Sequence, residues 1–296
     1  MGRFILKVLL FFFLIIIVDK AGGGIINWLS SQSNSNEVEH HNYVTQGTNE
    51  DILIFGSSRA LHHYNPSIIK DSLNMSCYNC GEDGNGIIYF YGLWQLIKSR
   101  YTPKVIIYDI FPLYDIYKGE DNHKYLGNLK GDYFKPGISD IFCMVDAKEK
   151  YKMLSSLYRW NSDFLPVILA FLKNENSYNI DGFLPLLGEI NPLKIKEKRK
   201  DEKEEIDPLK LELLTRLISE VKNSTDLVFV VSPSWYGISS KTLSPIRDIC
   251  KRENIELIDF SQDSNYVRNN EYFKDGSHLN NKGADLFTRE LMNYFK

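Results

Sequence analysis

Apolar positions along the chain fall into short blocks rather than one long stripe. Residues 51–55, 105–110, 227–231 and 255–260 are compact runs rich in Ile, Leu, Val and Phe, and 76–79 is a weaker one. Runs of four to six apolar residues stopped by Gly, Pro or a polar pair suit strands buried on both faces. Between them lie stretches with helical spacing: 87–99, where Ile88, Leu93, Leu96 and Ile97 are candidate core positions, then 208–221, 244–253 and 281–294. Strands alternating with helices predict a parallel sheet covered on both sides, a three-layer α/β/α domain over residues 51–296. The aromatic-rich stretch 113–191, with Pro136, Pro166 and Pro185, breaks the alternation. It predicts an insertion over about 113–207, made of irregular helices near the strand ends, where open α/β sheets bind ligands. Its last part, 194–205, is a mixed-sign charge run expected as a solvated linker or helix face.

The amino-terminal pattern is different. Arg3 and Lys7 precede an unbroken apolar run from Val8 to Val18; Asp19, Lys20 and three glycines follow, then a second apolar patch at 25–29. The run is shorter than the ~20 residues a spanning helix needs, and its basic flank also suits a signal peptide. No convincing Ala-x-Ala cleavage site follows, so residues 1–29 are expected as an uncleaved signal-anchor in preference to a cleaved signal. Either way the remainder is placed on the extracytoplasmic side, with the membrane as a partner. Residues 30–50, rich in Ser, Asn, Gln and His, are expected as a flexible stalk.

Composition narrows the function classes. The 296 residues are 43% apolar and 25% charged, enough to build a packed core. The net charge of −3 leaves no basic excess for a phosphate backbone, so nucleic acid is not an expected partner. Cys77, Cys80, Cys143 and Cys250 are too few for a disulfide framework in a chain this long. The Cys77-x-x-Cys80 pair lacks a second pair of ligands at zinc spacing, which leaves buried thiols or one local disulfide as its readings. No metal or cofactor is expected.

Three segments carry candidate chemistry. Gly56-Ser57-Ser58 closes the first strand, so Ser58 would project from the carboxyl edge of the sheet beside a helix amino terminus, with its own N–H placed to bind an oxyanion. Asp275-x-x-His278 precedes the last helix; the Asp can turn back onto imidazole Nδ1 and fix its tautomer. The opposing reading makes His278 a passive surface residue beside a helix capped by Asn280 or Asn281. Asn79-Cys-Gly-Glu-Asp-Gly84-Asn85-Gly86 follows the second strand, and glycine there lets backbone N–H groups approach a ligand.

In order and placement these segments resemble the SGNH/GDSL hydrolases, and more narrowly the bacterial surface-polysaccharide O-acetyltransferase-like and esterase-like members. The resemblance covers residue 51 to the carboxyl terminus. It implies a flavodoxin-like sheet of order 2-1-3-4-5, Ser58 as nucleophile, His278 as base, Asp275 as its orienting acid, and an oxyanion hole from Ser58, Gly84 and Asn85. It also implies a glycan or acyl-ester substrate and a membrane acyltransferase as partner. It does not separate water from a sugar hydroxyl as acyl acceptor. One block departs: the family has Gly-x-Asn-Asp after the third strand, where this chain has Tyr108-Asp109-Ile110-Phe111-Pro112. A lost oxyanion donor costs about 2.7–4 kcal/mol in a comparable hole, so a non-catalytic glycan-binding or accessory role is the alternative. Arg59 is a candidate for an acidic substrate group, against packing or pairing with Asp109; Ser232, Trp235 and Tyr236 are candidates to line a sugar site, against core packing. His62 and His63, lacking an acidic orienter nearby in sequence, are expected in packing and surface roles.

Overall fold

The computed structural model describes residues 1–32, 36–119, 121–161, 164–172, 180–191 and 204–295. Most of the 194–205 charge run lies outside the described residues. Five strands, β1 (Ile52–Gly56), β2 (Cys77–Asn79), β3 (Val105–Asp109), β4 (Asp226–Val231) and β5 (Glu256–Asp259), form one sheet in the order β2-β1-β3-β4-β5. All four pairings are parallel. Every strand therefore ends on the same edge, with Gly56 opposite Asp109 and Asp109 opposite Val230.

Strand periodicity assigns the layers. Leu53, Phe55, Ile106, Tyr108, Leu227, Phe229 and Val231 point into one core, and Ile52, Ile54, Ile107, Val228, Val230 and Ile258 into the other. Before the sheet come α1 (Gly2–Ser31) and α2 (Asn36–Asn42). After β1 come α3 (Ser58–His63) and α4 (Pro66–Leu73), then α5 (Ile87–Lys98) after β2. The insertion holds α6 (Pro112–Asp115), α7 (Ile138–Val145), α8 (Glu149–Lys152), α9 (Ser156–Arg159) and α10 (Phe164–Leu172). The chain closes with α11 (Pro208–Val221), α12 (Ser240–Glu253) and α13 (Asn281–Leu291). Residues of α5, α11 and α12 fill the first core, and residues of α3, α4 and α13 the second.

The amino-terminal region departs from expectation in two ways. The first helix, expected only as an anchor, continues to Ser31 through the glycines at 22–24. They let it dock: a β-carbon on Gly23 would collide with Ser156 Cβ, and one on Gly22 would stand 2.8 Å from Leu157 Cδ2. Asp19 completes the joint, accepting from Ser155 Oγ at 2.5 Å, Ser156 N at 2.8 Å and Leu157 N at 3.0 Å, so its carboxylate serves the amino end of α9. The apolar run Val8–Val18 projects beyond this joint with its side chains exposed. Eleven residues at about 1.5 Å each fall well short of a ~30 Å hydrocarbon layer. Among the described residues no helix is long and apolar enough to cross a membrane.

The second departure is the expected stalk. From residue 36 it is helical, with Val44, Thr45 and Thr48 buried. His40 reaches Tyr78 Oη and the Gly81 carbonyl, both at 3.2 Å, and Arg100 donates to the carbonyls of Thr48 and Val44. Polar composition suggested solvation, but these side chains find partners on the domain surface.

Candidate active site

β1 ends at Gly56 with φ 139°, a conformation that favours glycine. A β-carbon there would stand 2.7 Å from the Asp109 carbonyl and 2.9 Å from Ala60 Cβ. The glycine thus lets the chain turn tightly from the strand into α3, whose first residue is Ser58. As a first-turn residue, Ser58 has no intrahelical acceptor for its N–H. On the other side of the site, Asn280 caps α13 by accepting from Gly283 N, and the loop before it delivers His278.

Ser58 Oγ and His278 Nε2, 220 residues apart in sequence, lie 2.8 Å apart. His278 Nδ1 meets Asp275 Oδ2 at 2.9 Å. The Asp275 carboxylate also accepts from Ser277 N at 2.8 Å and His278 N at 3.0 Å. Partial burial pushes this carboxyl up, but the bonds from His278 and Ser277 outweigh it and bring it down to about 2. Asp275 is therefore an anion at neutral pH, requiring the proton on His278 Nδ1 and leaving Nε2 to face the serine hydroxyl. The two readings of this loop are compatible: Asn280 is the helix cap, and its bonds position the loop that presents His278.

Gly84 sits at φ 66° in the loop after β2 and takes part in no hydrogen bond among the described residues. Asn79 builds this loop by donating to the Ala60 and Tyr64 carbonyls and accepting from Gly81 N. The Asn85 amide is buried and turned back to the Asp83 carbonyl at 3.2 Å, so one of its donors is already engaged.

Several readings need correction. Arg59 does not face the open side of the site. It is 2% exposed, donates to the oxygens of Ser232, and lies 5.2 Å from the Phe111 ring. It does not bond Asp109 directly; Ser232 stands between them, its Oγ 2.5 Å from Asp109 Oδ2. On this short helix Arg59, next to Ser58, turns inward into a buried polar cluster. Trp235 is buried, its Nε1 bonded to Asn270 Oδ1 and its ring under Arg268. Tyr236 lies over Gly276, where any β-carbon would strike its ring, so this pair braces the Asp275–His278 loop.

Both α3 histidines are buried, which fits the packing role expected of them and not the surface one. His62 does have an acidic partner, Asp83 Oδ1 at 3.4 Å, supplied by the glycine loop; the His62 bond holds the Asp83 carboxyl below its ordinary range. His63 bonds Ser232 Oγ and the Leu279 N–H. The cluster of Asp109, Ser232, Arg59 and His63 is what sequence reasoning missed. Its one available signal was an acid closing β3 beside a serine closing β4.

At the end of β3, where the SGNH resemblance would place an Asn, the described residues are Asp109, Ile110, Phe111 and Pro112. Asp109 is committed to Ser232, and Asp115 closes the turn by accepting from Phe111 N and Tyr108 Oη. Cys77 and Cys80 are free and buried, with burial pushing both thiols far up, so neither is poised for redox chemistry. Away from the site, His123, Asp146 and Glu149 bring three ligand types together. The Lys152 ammonium stands on the same Asp146 and Glu149 oxygens, which makes the group an ion-pair knot.

No protein-family model and no curated protein matches the chain. Among solved structures it is similar to a Streptococcus pneumonia protein provisionally named a platelet activating factor. That likeness is at 12% identity and a TM-score of 0.41, covering 94% of this chain and 99% of the other. At these values no functional reading passes from one protein to the other.

Proposed function

We propose that this chain is an extracytoplasmic serine esterase or O-acetyltransferase of the SGNH type, acting on acyl esters of an envelope or exported polysaccharide. The observation that supports it above all is the 2.8 Å contact between Ser58 Oγ and His278 Nε2, backed by the Asp275 carboxylate on Nδ1. Nucleophile, base and orienter within hydrogen-bond reach are the general signature of covalent acyl transfer.

In this reading Ser58 Oγ attacks the acyl carbonyl carbon while His278 Nε2 takes the hydroxyl proton. The oxyanion is received by the N–H groups of Ser58 and Gly84. Collapse breaks the ester C–O bond; His278 returns the proton to the departing alkoxide, and the acyl group remains on Ser58. Water, or a glycan hydroxyl in the transferase variant, then gives its proton to His278 and takes the acyl group; the acyl–Oγ bond breaks and His278 returns the proton to Ser58 Oγ. Asp275 stabilises the imidazolium in both halves. The exposed apolar run of α1 supports attachment to a membrane, where an acyltransferase could supply the acyl group.

The second reading, a glycan-binding accessory protein, is favoured by the oxyanion side. No amide stands at the end of β3, and the Asn85 amide is turned onto its own loop. Fluorophosphonate labelling, together with turnover of a small acetyl ester, decides between them. Labelling of wild type and none of Ser58→Ala supports the enzyme. An unlabelled wild type, silent on esters and on acetyl donor plus glycan, sinks it in favour of the accessory role.

A further inference from the structure

We propose that His63 is a positioning residue for the Ser58–His278 pair, holding the base's loop from beneath through the Leu279 N–H and tying it to the helix that carries the nucleophile. The inference builds on the enzyme reading of Ser58.

The argument follows the protons. Leu279 N–H donates to His63 Nε2 at 3.0 Å, so Nε2 is the bare nitrogen of the ring. A neutral ring then carries its proton on Nδ1, which stands 3.0 Å from Ser232 Oγ and donates to it. Ser232 in turn donates its hydroxyl proton to Asp109 Oδ2 at 2.5 Å. The chain from Leu279 through His63 and Ser232 to Asp109 runs in one direction, with each donor matched to one acceptor. His63 and Ser232 have no exposed surface and Asp109 has 1%, so water does not compete for these bonds. Arg59 adds its Nε donor to the second lone pair of Ser232 Oγ at 3.1 Å and gives Nη2 to the Ser232 carbonyl, and its charge pulls the Asp109 carboxyl down against the burial that raises it.

The placement of the ring gives this chain its role. His63 is the last residue of α3 and Ser58 the first, so both ride on one short helix. Leu279 follows His278 directly, so fixing its N–H fixes the backbone from which the base projects. The two imidazoles lie 6.3 Å apart edge to face. Thr288 Oγ1 donates to the His63 carbonyl and ties the same residue to α13. One ring therefore sets the separation of nucleophile and base without touching substrate. A displacement of about 1 Å at such a pair costs about 10²-fold in rate.

The test compares His63→Phe, which keeps a ring and loses the acceptor, with His63→Gln, which keeps an acceptor near the Nε2 position. The readouts are kcat and KM on an acetyl ester and exchange of the Leu279 amide proton followed by NMR. The positioning role predicts fast Leu279 exchange and a fall of about 10²-fold in kcat at constant KM for His63→Phe. It predicts retained protection and most of kcat for His63→Gln. Ser232→Ala, which removes the ring's own partner and adds no bulk, is expected to loosen Leu279 to a lesser extent and covers the case of a poorly folded His63→Phe. Unchanged exchange and kcat in His63→Phe or in Ser232→Ala would overturn the proposal, as would a change confined to melting temperature. The exchange readout is independent of turnover. Protection that depends on His63 in a protein that never labels at Ser58 would therefore count against the enzyme reading alone.

Discussion

Two acid–histidine assemblies meet at α3, and the contrast between them explains the site. On the open side, Asp275 and His278 belong to one loop, with side chains 54% and 23% exposed. On the closed side, Asp109, Ser232 and His63 come from β3, the end of β4 and α3, and none has more than 1% exposure. The residue types are nearly the same, but the electrostatics are opposite. Hydrogen bonds overcome partial burial at Asp275 and hold its carboxyl low, whereas burial pushes Asp109 up against the pull of Arg59 and Ser232. Burial, with the nearby Arg59 charge, drives the His63 imidazole well below its ordinary value, so it is a fixed neutral link. His278 keeps one face open and has the Asp275 carboxylate behind it. Burial separates the two rings: His63 is closed off from water and His278 is open to it.

That contrast can be broken most sharply at the Ser58–His278 pair. Ser58→Ala and His278→Ala are each expected to lower kcat on an acetyl ester by at least about 10³-fold, and the double variant to be little worse than either. Additive losses would mean that the two do not act as a unit.

On the closed side the expected loss is of stability. Asp109→Ala leaves Arg59 buried without its counter-charge and should cost about 3–5 kcal/mol of unfolding free energy, read by denaturant titration. A loss under about 1 kcal/mol would show that Ser232 alone satisfies the guanidinium.

Asp275→Asn should lower kcat by about 10²-fold, or ~2.7 kcal/mol at 1.36 kcal/mol per decade, with KM little changed. The same variant sharpens the pH comparison. Asp275 is depressed to about 2 in the fold against an ordinary value near 3.9. Its contribution is thus present above about pH 4 and lost as pH falls toward 2. Asp109, raised in the fold, acts in the opposite sense and weakens the fold as it ionises with rising pH. Thermal melts between pH 4 and 2 should therefore fall less steeply for Asp275→Asn than for wild type; equal slopes would mean that the loop bonds do not survive in solution.

The smallest effect is expected far from both assemblies. Gly23→Ala drives a methyl into Ser156 and should loosen the α1–α9 joint by about 1–3 kcal/mol. It should raise protease cutting near residues 19–32 and leave ester turnover untouched. Altered turnover would connect the amino-terminal joint to the site.

How far each feature could be read in advance follows the range of the interactions behind it. The five strands and the helix over 208–221 rest on local periodicity and on glycine and proline stops, and the observed bounds agree within about two residues. Ser58, Gly84, Asp275 and His278 were marked by short motifs at strand ends and before the last helix. The parallel alternation placed all of them on one edge. The stalk was misread because Ser, Asn and His say nothing about whether a partner waits on another element; His40 finds Tyr78 and Gly81, and Arg100 finds Thr48. The glycines after Val18 serve a close helix approach, a role visible only once Ser156 lies opposite them. The inward turn of Arg59, the Asp83 partner of His62 and the Asp109–Ser232–His63 chain join residues up to 173 positions apart. Local pattern determines which segments can be strand, turn or helix. Only the packed fold decides which polar side chains lose water, and so which are left to do chemistry.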